Sequence, residues 1–342
     1  MLTENSRVAI LGARFGSLDI EAEELAPLGV QIVQGTGVTT DEIAQVAGDA
    51  AAILAGSGPR FTRDVIAQLP LCRAIVRYGV GTETIDVSAA TDMGILVVNV
   101  PEYCVEEVAT HTLALILACV RKLLVGHRDA IAGRWQVAGV RPMFSTENQV
   151  LGLIGLGRIG HAVARKAQAF GFQILVFDPY VSSEKAIELG ATRVELDELL
   201  SRSDVVSLHS PDTPETHHII NAATLKRMKP TAFLVNASRG GLVDEPALLE
   251  VLNHGSIAGA ALDVLENEPV PPDHPLLKSE RCLVTPHMAW YTEQSIERMR
   301  RLASREVARV LKGQLPISLV NPHVLSLPNR FSRQGVSIHS SS

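Results

Sequence analysis

Residues 150–160 read VLGLIGLGRIG, an apolar run that ends in the glycine pattern G-x-G-x-x-G. The apolar run has the composition of a buried strand, and an amphipathic segment over residues 158–170 follows it. In such a strand, turn and helix, the first glycine permits a tight turn, the second lets backbone N–H groups approach a pyrophosphate, and the third lets the helix pack on the strand. We therefore predict that the first turn of this helix binds a diphosphate. A turn without a ligand is the alternative interpretation.

An acidic residue stands about twenty residues beyond the glycines. Asp178 ends the next predicted strand, residues 173–177, and is followed by Pro179 and Tyr180 rather than by an arginine. A carboxylate at this position accepts hydrogen bonds from adenosine ribose hydroxyls and repels a 2′-phosphate, so the pattern favours NAD over NADP. A solvated strand end is the other interpretation of Asp178. The cofactor-binding residues predicted from this motif are Gly155, Gly157, Arg158, Ile159, Gly160 and Asp178.

Short apolar runs alternate with amphipathic segments on both sides of this motif. The strands predicted before it are residues 7–11, 30–33, 51–55, 74–76 and 95–98, and the helices between them are 18–28, 41–47, 62–68 and 87–93. The strands predicted after residues 173–177 are 205–208, 232–235, 257–262 and 282–284. Such alternation predicts parallel strands with crossover helices, and 342 residues exceed what one core usually serves. We predict an α/β fold with two doubly wound parallel-sheet domains.

Two longer helices are predicted where the chain passes between these domains. Residues 105–124 are almost uniformly apolar, which is typical of a buried helix, and residues 292–311 are amphipathic. We expect the second of these helices to return the chain to the first domain. The predicted domains are therefore residues 1–103 with 291–330 and residues 104–290, and residues 331–342 are predicted to form a flexible tail.

Charge and cysteine usage exclude several classes of function. The net charge is −6 and no stretch is dense in lysine or arginine, so we predict no nucleic-acid partner. The four cysteines form no C-x-x-C pair and no histidines cluster at metal-ligand spacing, which predicts reduced thiols and no metal site. Charged residues interrupt the most apolar stretch and no leader pattern precedes it. We predict a cytoplasmic protein that has no membrane partner.

Two further loops follow predicted strands of the second domain. His209-Ser210-Pro211 comes after residues 205–208, and Asn236-Ala237-Ser238 comes after residues 232–235. Open α/β sheets bind ligands outside the carboxyl ends of their strands. We therefore predict that His209, Ser210, Pro211, Ala237 and Ser238 line the cofactor site.

Several ordered motifs place the sequence near a known family. Apart from the glycine pattern they are RYGVG at residues 77–81, NASRGGLVDE at 236–245, Asp263 through Glu268-Pro269, and Thr285-Pro286-His287. With them the chain resembles the D-isomer-specific 2-hydroxyacid dehydrogenases from about residue 51 to 315. Because Met288-Ala289-Trp290-Tyr291 follows the histidine, the resemblance is closest to the C-terminal-binding-protein branch, with phosphoglycerate dehydrogenases next. It implies a flavodoxin-like substrate domain with an inserted Rossmann domain that binds NAD.

The resemblance also implies a catalytic set. Arg239 would contact the carboxylate and carbonyl of the substrate, and His287 would be the acid/base. Glu268 would orient the imidazole of His287 and stabilise its protonated form. The chemistry suits these residue types, because hydride transfer to a keto carbon builds negative charge on the oxygen and calls for a proton donor active near neutrality. The planar fork of an arginine binds a carboxylate bidentately. From spacing alone, the favoured interpretation is that Arg239 is a surface ion-pair partner and His287 a structural or surface residue, and the resemblance reverses this preference.

Other site residues follow from the same motifs. In the first domain, the backbone N–H groups of Val80 and Gly81 could cradle a carboxylate, unless the stretch is a simple turn. By resemblance Arg77 faces the substrate or pairs with an acid, and Trp290 forms an apolar wall near the substrate or packs at an interface. Asp263 would hold the nicotinamide region or cap a strand end. The further cofactor-binding residues that the resemblance implies are Thr110, Thr216, Arg239, Asp263, His287 and Ala289.

The sequence thus predicts an NAD-dependent oxidoreductase that transfers a hydride between NAD(H) and a small 2-keto or 2-hydroxy acid. By resemblance we expect a homodimer formed through the Rossmann domain, with residues 105–124 in the interface. One alternative is an NAD(H)-sensing scaffold of the C-terminal-binding-protein type. Another is a short form of phosphoglycerate dehydrogenase, because the stretch beyond residue 315 is too short for a regulatory domain.

Overall fold

The computed structural model describes residues 6–327 and 329–331. The chain divides into two compact units: one contains the chain through Cys104 and the chain from Thr292 onward, and the other runs from Val105 to Tyr291. Each predicted boundary, after residue 103 and after residue 290, differs from these by one residue. The first is called the N-terminal unit below, and the second the central unit.

The N-terminal unit is a five-stranded sheet with helices. Its strands are β1 (Arg7–Leu11), β2 (Gln31–Gly35), β3 (Ala50–Ala55), β4 (Ala74–Arg77) and β5 (Leu96–Val98). Its helices are α1 (Asp19–Leu25), α2 (Thr40–Ala47), α3 (Arg63–Ala67), α4 (Val87–Asp92) and α13 (Glu293–Leu311). The strands are parallel in the order β2-β1-β3-β4-β5. Apolar residues of every strand but β2 are fully buried, as expected for parallel strands covered on both faces.

Local chemistry sets the ends of several helices in this unit. The helix predicted over residues 18–28 is shorter, because α1 ends at Leu25 and a 3-10 turn containing Pro27 follows. Gly29 then ends the turn with a φ of 62°, a conformation that glycine adopts at little cost. Helix α13 begins with a capping box in which Thr292 and Ser295 bond each other's backbone N–H groups. It packs on α1, β3 and β4, so it belongs to the N-terminal unit as predicted.

The central unit is a seven-stranded sheet with helices. Its strands are β6 (Val150–Ile154), β7 (Gln173–Phe177), β8 (Ala191–Arg193), β9 (Val205–Leu208), β10 (Phe233–Asn236), β11 (Gly259–Leu262) and β12 (Cys282–Val284). Its helices are α5 (Val105–Val120), α6 (Leu123–Ile131), α7 (Arg158–Gln168), α8 (Ser183–Glu188), α9 (Leu196–Arg202), α10 (Ala222–Leu225), α11 (Glu245–His254) and α12 (Pro275–Lys278). All strands are parallel, in the order β12-β11-β10-β9-β6-β7-β8. The predicted fold of two doubly wound parallel sheets is therefore confirmed.

The apolar helix predicted over residues 105–124 is in fact two helices. Helix α5 ends at Val120, Lys122 has a φ of 48°, and α6 begins at Leu123 after a bend of 58°. A left-handed residue cannot continue a right-handed helix, which accounts for the break. Helix α5 packs on α7, β10 and β11 inside the central unit. In the described part of the chain no single helix is long and apolar enough to cross a membrane, although α5 and α6 would qualify if taken together.

The C-terminal stretch differs in part from its prediction. The tail was expected to begin at residue 331, but Phe331 is buried and the N–H of Arg330 donates to the carbonyl of Gly94 at 3.0 Å. An aromatic side chain gains more from burial than a polar tail residue does, and this extends the packed chain to Phe331. The rest of the predicted tail, residues 332–342, lies outside the described residues.

Candidate active site

The carboxyl edge of the seven-stranded sheet carries the predicted catalytic and cofactor loops of the central unit. Strand β6 lies between β7 and β9, so the order of the strands reverses on its two sides. In an open parallel sheet such a switch point forms a crevice outside the carboxyl ends, where ligands bind. Because β10, β11 and β12 are consecutive neighbours, the loops that carry Arg239, Glu268 and His287 lie side by side at that edge.

The three glycines of the glycine loop meet three different demands. Gly155 has a φ of 95°, and a Cβ there would lie 2.8 Å from the backbone of His209 and Ser210. A Cβ on Gly160 would lie 2.4 Å from the carbonyl oxygen of Gly155, so helix and loop approach closely. A Cβ on Gly157 would meet no described atom within 4 Å. Gly157 is the N-cap of α7 and has no side chain to bond the first-turn amides, which leaves open space where a diphosphate fits.

Asp178 links the end of β7 to the glycine loop. Its Oδ2 accepts the N–H of Leu156 at 2.8 Å, and its Oδ1 accepts the N–H of Tyr180 at 2.8 Å. A carboxylate has about four lone-pair sites, so these two bonds leave room for ribose hydroxyls. The residues present therefore fit the adenosine end of a dinucleotide.

The loop after β9 contains a neutral histidine. Burial lowers the pKa of His209 to about 4, and its Nε2 lies 3.0 Å from Oγ of Ser207. An imidazole that stays uncharged at neutral pH adds no charge beside the glycine loop. The hydroxyl of Ser238 donates to the carbonyl of Ser210 at 2.7 Å, which joins this loop to the one after β10. The predicted cofactor loops are thus packed on each other.

The loop after β10 presents Arg239 beside the loop after β11. A Cβ on Gly240 would lie 2.0 Å from the carbonyl carbon of Leu265, so only glycine permits this approach. The side-chain amide of Asn236 donates to the carbonyl of Arg239 at 2.7 Å, and a guanidinium nitrogen of Arg239 donates to the carbonyl of Ser238 at 2.7 Å. These bonds fix the backbone and one face of a half-buried guanidinium.

His287 and Glu268 are in direct contact. Nδ1 of His287 lies 2.6 Å from Oε2 of Glu268, and Oε1 of Glu268 accepts the N–H of Leu265 at 3.1 Å. Burial raises the pKa of Glu268, but the hydrogen bond and charge of His287 outweigh it and leave this pKa below its usual range. An ionised Glu268 stabilises a protonated imidazole and fixes the orientation of the ring. The pair therefore has the geometry of an oriented acid/base.

The backbone of His287 is held in an uncommon conformation. Its φ is 49°, in the left-handed region that non-glycine residues rarely adopt. The N–H of His287 donates to the carbonyl of Asp263 at 2.7 Å, and its carbonyl accepts the indole N–H of Trp290 at 2.9 Å. A residue in this region is often part of a functional site, because the surrounding contacts have to offset the strain.

The carboxylate of Asp263 organises the loop that carries His287. It is buried, and it accepts the hydroxyl of Thr285 at 2.5 Å and the N–H groups of Met288 and Ala289 at 3.0 and 2.8 Å. Burial raises the pKa of Asp263, but the bonds from His111, Thr285 and the two amides outweigh it and lower the pKa. The cap contacts considered for Asp263 are present, and its predicted contact with the nicotinamide region stays a prediction.

One residue of this network was missed in the sequence. Nε2 of His111 lies 3.1 Å from Oγ1 of Thr285 and 3.5 Å from Oδ1 of Asp263. His111 lies outside all the motifs on which the family resemblance rests. A polar residue on an almost wholly apolar helix was the available signal, since a buried imidazole needs a partner.

Two other predicted cofactor residues make local bonds. The hydroxyl of Thr110 donates to the carbonyl of Glu106 at 2.7 Å, within α5. The hydroxyl of Thr216 donates to the carbonyl of Pro211 at 2.6 Å and closes that loop. Ala237 and Ala289 are buried small residues. The contacts of these four residues with a cofactor remain predictions.

The predicted substrate loop of the N-terminal unit follows β4. Nη1 of Arg77 donates to the carbonyls of Tyr78 and Ala55 at 2.5 and 3.2 Å. The amide of Asn99 donates to the carbonyl of Val80 at 2.8 Å, and Gly79 has a φ of 126°. The loop is thus a tightly bonded turn. Because it belongs to a different unit from Arg239 and His287, its substrate contacts stay predictions.

Fold and site agree with one class of proteins. The family model described as "D-isomer specific 2-hydroxyacid dehydrogenase, NAD binding domain" matches residues 113–289. The chain belongs to this family of NAD-dependent dehydrogenases, and the resemblance stated from the sequence is confirmed at this level. The match also confirms NAD as the cofactor, in line with the glycine loop and Asp178.

Proteins with similar sequences or structures are named for several different substrates. A glyoxylate reductase of Korarchaeum cryptofilum is 42% identical over 268 residues, which are 77% of this chain and 80% of the relative. A D-3-phosphoglycerate dehydrogenase of Methanocaldococcus jannaschii is 39% identical over 85% of this chain, but this chain spans only about half, 55%, of its length. The crystal structure of D-lactate dehydrogenase from Aquifex aeolicus, complexed with NAD and lactic acid, superposes with a TM-score of 0.82 at 31% identity and covers 92% of this chain and 99% of that one.

Proposed function

We propose that the protein interconverts a small 2-keto acid and the corresponding D-2-hydroxy acid, with NAD(H) as the hydride carrier. The observation that carries this proposal is the 2.6 Å contact between Nδ1 of His287 and Oε2 of Glu268. Because Glu268 bonds Nδ1, the proton exchanged with the substrate is carried by Nε2. A protein that only sensed the nucleotide would have no use for such an oriented acid/base pair.

Each side chain of the proposed set has one task in the reduction. Arg239 binds the carboxylate of the keto acid and polarises its carbonyl. NADH, when bound, supplies a hydride to the carbonyl carbon. As the C=O electron pair moves to the oxygen, that oxygen takes the proton from Nε2 of His287 and becomes a hydroxyl. Glu268 remains ionised and stabilises the imidazolium before the transfer. Oxidation of the hydroxy acid follows the same steps in reverse.

The substrate class rests on the residues and on the relatives together. A guanidinium beside an acid/base suits a carboxylate next to a carbonyl, which is what 2-keto acids contain. The relatives are named for glyoxylate, phosphoglycerate and lactate, which are all 2-hydroxy acids or 2-keto acids. Membership in the C-terminal-binding-protein branch, a scaffold role and a short phosphoglycerate dehydrogenase remain predictions, as do the cytoplasmic location and the lack of a nucleic-acid or membrane partner.

We also propose that the protein is a homodimer through the central unit, with the interface moved from its predicted position. Helix α5, which was expected in the interface, is largely buried in its own unit. Large apolar side chains are exposed just after it: Ile131 is 73% exposed, Trp135 87% and Val137 66%. Exposed apolar side chains that are close in sequence favour a covering partner. Light scattering of the purified protein should give twice the chain mass, and Trp135→Ser should lower it toward one chain.

The test of the reaction is NADH oxidation with glyoxylate, hydroxypyruvate, pyruvate and a longer 2-keto acid. We expect turnover with at least one of them, and Arg239→Ala should abolish nearly all of it while NADH fluorescence still reports binding. Arg202→Ala is the matched control, because Arg202 lies in the same unit and, within the part of the chain that the structure describes, forms an ion pair only with the surface residue Glu198. If the wild-type protein binds NADH and turns over none of these acids, the scaffold role replaces the proposed reaction.

A further inference from the structure

A second group of histidines and carboxylates lies in the central unit, made of residues other than His287 and Glu268. Nε2 of His218 is 3.2 Å from Oε1 of Glu266, and Nε2 of His217 is 3.9 Å from the same oxygen. Nδ1 of His217 is 3.2 Å from Oδ1 of Asp212. One ligand atom from each of His217, His218 and Glu266 lies within 4.8 Å of the others. No local signal in the sequence predicts this cluster, because Glu266 is far along the chain from the two histidines.

The separations match those of ligands around one small metal ion. Zinc binds imidazole nitrogen and carboxylate oxygen at about 2.0–2.2 Å, and tetrahedral ligands at that radius are separated by about 3.4 Å. The separations of 3.2 and 3.9 Å from Oε1 of Glu266 to the two Nε2 atoms bracket this value. The two rings are stacked with their centroids 4.1 Å apart at 20°, so one of the two imidazoles has to rotate for both Nε2 lone pairs to point at the same ion.

Asp212 is placed to hold a metal-binding histidine rather than to bind the metal itself. Its bond to Nδ1 of His217 places the ring proton on that nitrogen and leaves Nε2 with a free lone pair. Metal-binding histidines commonly donate their second ring N–H to a carboxylate in this way, which fixes the ring and raises its basicity. Two imidazoles and one carboxylate, with a position left for water, form a donor set that suits Zn²⁺ and its neighbours in the first transition row.

The backbone of the cluster has an uncommon conformation at His218. His218 has a φ of 50°, in the left-handed region, and its N–H donates to the carbonyl of Gly241 at 2.8 Å. A Cβ on Gly241 would lie 2.1 Å from Oδ2 of Asp212 and 3.1 Å from Nδ1 of His217. The cluster therefore holds His218 in an uncommon backbone conformation, and the absence of a side chain at Gly241 leaves room for the side chains of Asp212 and His217. Strain of this kind points to a functional requirement rather than to chance packing.

We propose that His217, His218 and Glu266 bind one divalent transition-metal ion, with Zn²⁺ as the best match, and that Asp212 orients His217 for it. The ion would join the segment of His217 and His218 to the loop of Glu266, which is two residues from Glu268, and the N–H of His218 already bonds Gly241, two residues from Arg239. Its role is to fix these loops, and the hydride and proton transfers do not pass through it. The site is thus independent of the proposed reaction.

The experiment is a titration of the full chain, free of any affinity tag and treated with EDTA, with Zn²⁺ alone in competition with a fluorescent chelator. We expect one equivalent of Zn²⁺ per chain in the wild-type protein. His218→Gln should weaken this binding by more than tenfold, and Asp212→Asn, which removes only the carboxylate that holds His217, by about tenfold. His254→Gln is the matched control, because His254 is exposed in the same unit and, among the described residues, bonds only the backbone carbonyl of Glu250 in its own helix.

Two results would overturn the metal site. One is wild-type protein that takes up no Zn²⁺ at micromolar concentrations, which would leave the cluster as a set of histidine–carboxylate hydrogen bonds. The other is equal Zn²⁺ affinity in the wild type, His218→Gln and His254→Gln. Circular dichroism and NADH binding of each variant separate loss of the metal ligand from loss of the fold. A failure of the 2-keto acid panel does not affect this measurement.

Discussion

The seven-stranded and five-stranded sheets both end in loops with predicted catalytic or substrate residues, but different contacts hold the two sets of loops. In the central unit, Asp263 holds the loop of His287 through bonds to residues 22 to 26 positions later. In the N-terminal unit, the loop after β4 is held through Tyr78, whose hydroxyl donates to Glu21 at 2.9 Å. Glu21 is in turn bonded by Arg300, 279 positions away. The loop of His287 is held by residues at most 26 positions apart. The loop after β4 is held by an ion pair whose members are 279 positions apart.

The long-range anchor is a buried ion pair with aromatic neighbours. Glu21 is fully buried, and Arg300 donates to its two oxygens at 2.9 and 2.5 Å. The guanidinium of Arg300 lies 4.5 Å from the ring centroid of Phe15, whose ring meets the ring of Tyr78 edge-on at 5.2 Å. Such a pair is costly to break, because the remaining charge is left buried without a partner. We therefore expect variants of the central unit to lose mainly activity and variants of the N-terminal unit to lose mainly stability.

The largest effect is expected in the central unit, on chemistry rather than on stability. Replacing His287 by glutamine removes the proton donor but keeps a polar side chain, so kcat should fall by about 10²- to 10⁴-fold. Because the bonds that shape the loop come from Asp263 and the backbone, the urea midpoint should stay near the wild-type value. Stopped-flow reduction of the accepted 2-keto acid measures the loss. A decrease of less than about tenfold would remove His287 from the acid/base role.

In the N-terminal unit the expected loss is in stability. Arg300→Met leaves Glu21 buried without its partner, which should lower the free energy of unfolding by about 3–5 kcal/mol. Arg301→Met is the control, because Arg301 pairs with the exposed Glu23 and Glu297 and with the partly exposed Glu24, and ion pairs that water can reach contribute about 0–1 kcal/mol each. Urea unfolding followed by circular dichroism measures both variants. The distinction between the two anchors fails if Arg300→Met unfolds at the same urea concentration as Arg301→Met.

The contacts that hold the two loops also differ in how well the sequence predicts them. The parallel sheets, the glycine loop and Asp178 were predictable, because strand periodicity and a spacing of about twenty residues are local signals. Motif resemblance singled out His287 and Glu268, which the fold brings into contact. Strand β8 was missed because its residues, Ala191 to Arg193, include a threonine and an arginine and form no apolar run, and the break at Lys122 lacks a glycine or proline to mark it. The bond from Arg300 to Glu21 crosses nearly the whole chain and has no local signature.

A smaller effect on stability is expected at the local anchor. Asp263→Asn loses charge-assisted bonds to Thr285, Met288 and Ala289, which should cost about 1–3 kcal/mol near neutral pH. The folded-state pKa of Asp263 is lowered, so its ionised form stabilises the fold above the unfolded value of about 3.9. That stabilisation disappears as the pH falls through the folded-state pKa. The urea curves of wild type and Asp263→Asn should therefore converge below about pH 4, and a difference that is constant with pH would contradict the charge argument.

The smallest effect concerns the choice of cofactor at Asp178. Asp178→Asn keeps an oxygen that can accept the N–H of Leu156 but removes the charge that repels a 2′-phosphate. The preference for NADH over NADPH in kcat/KM should therefore fall by about tenfold, which corresponds to about 1.4 kcal/mol. Nε of Arg193 lies 3.4 Å from the carbonyl of Asp178, close enough to meet a phosphate there. Adding Arg193→Ala to Asp178→Asn should reverse the gain for NADPH, and an unchanged ratio in both variants would mean that another residue contacts the ribose.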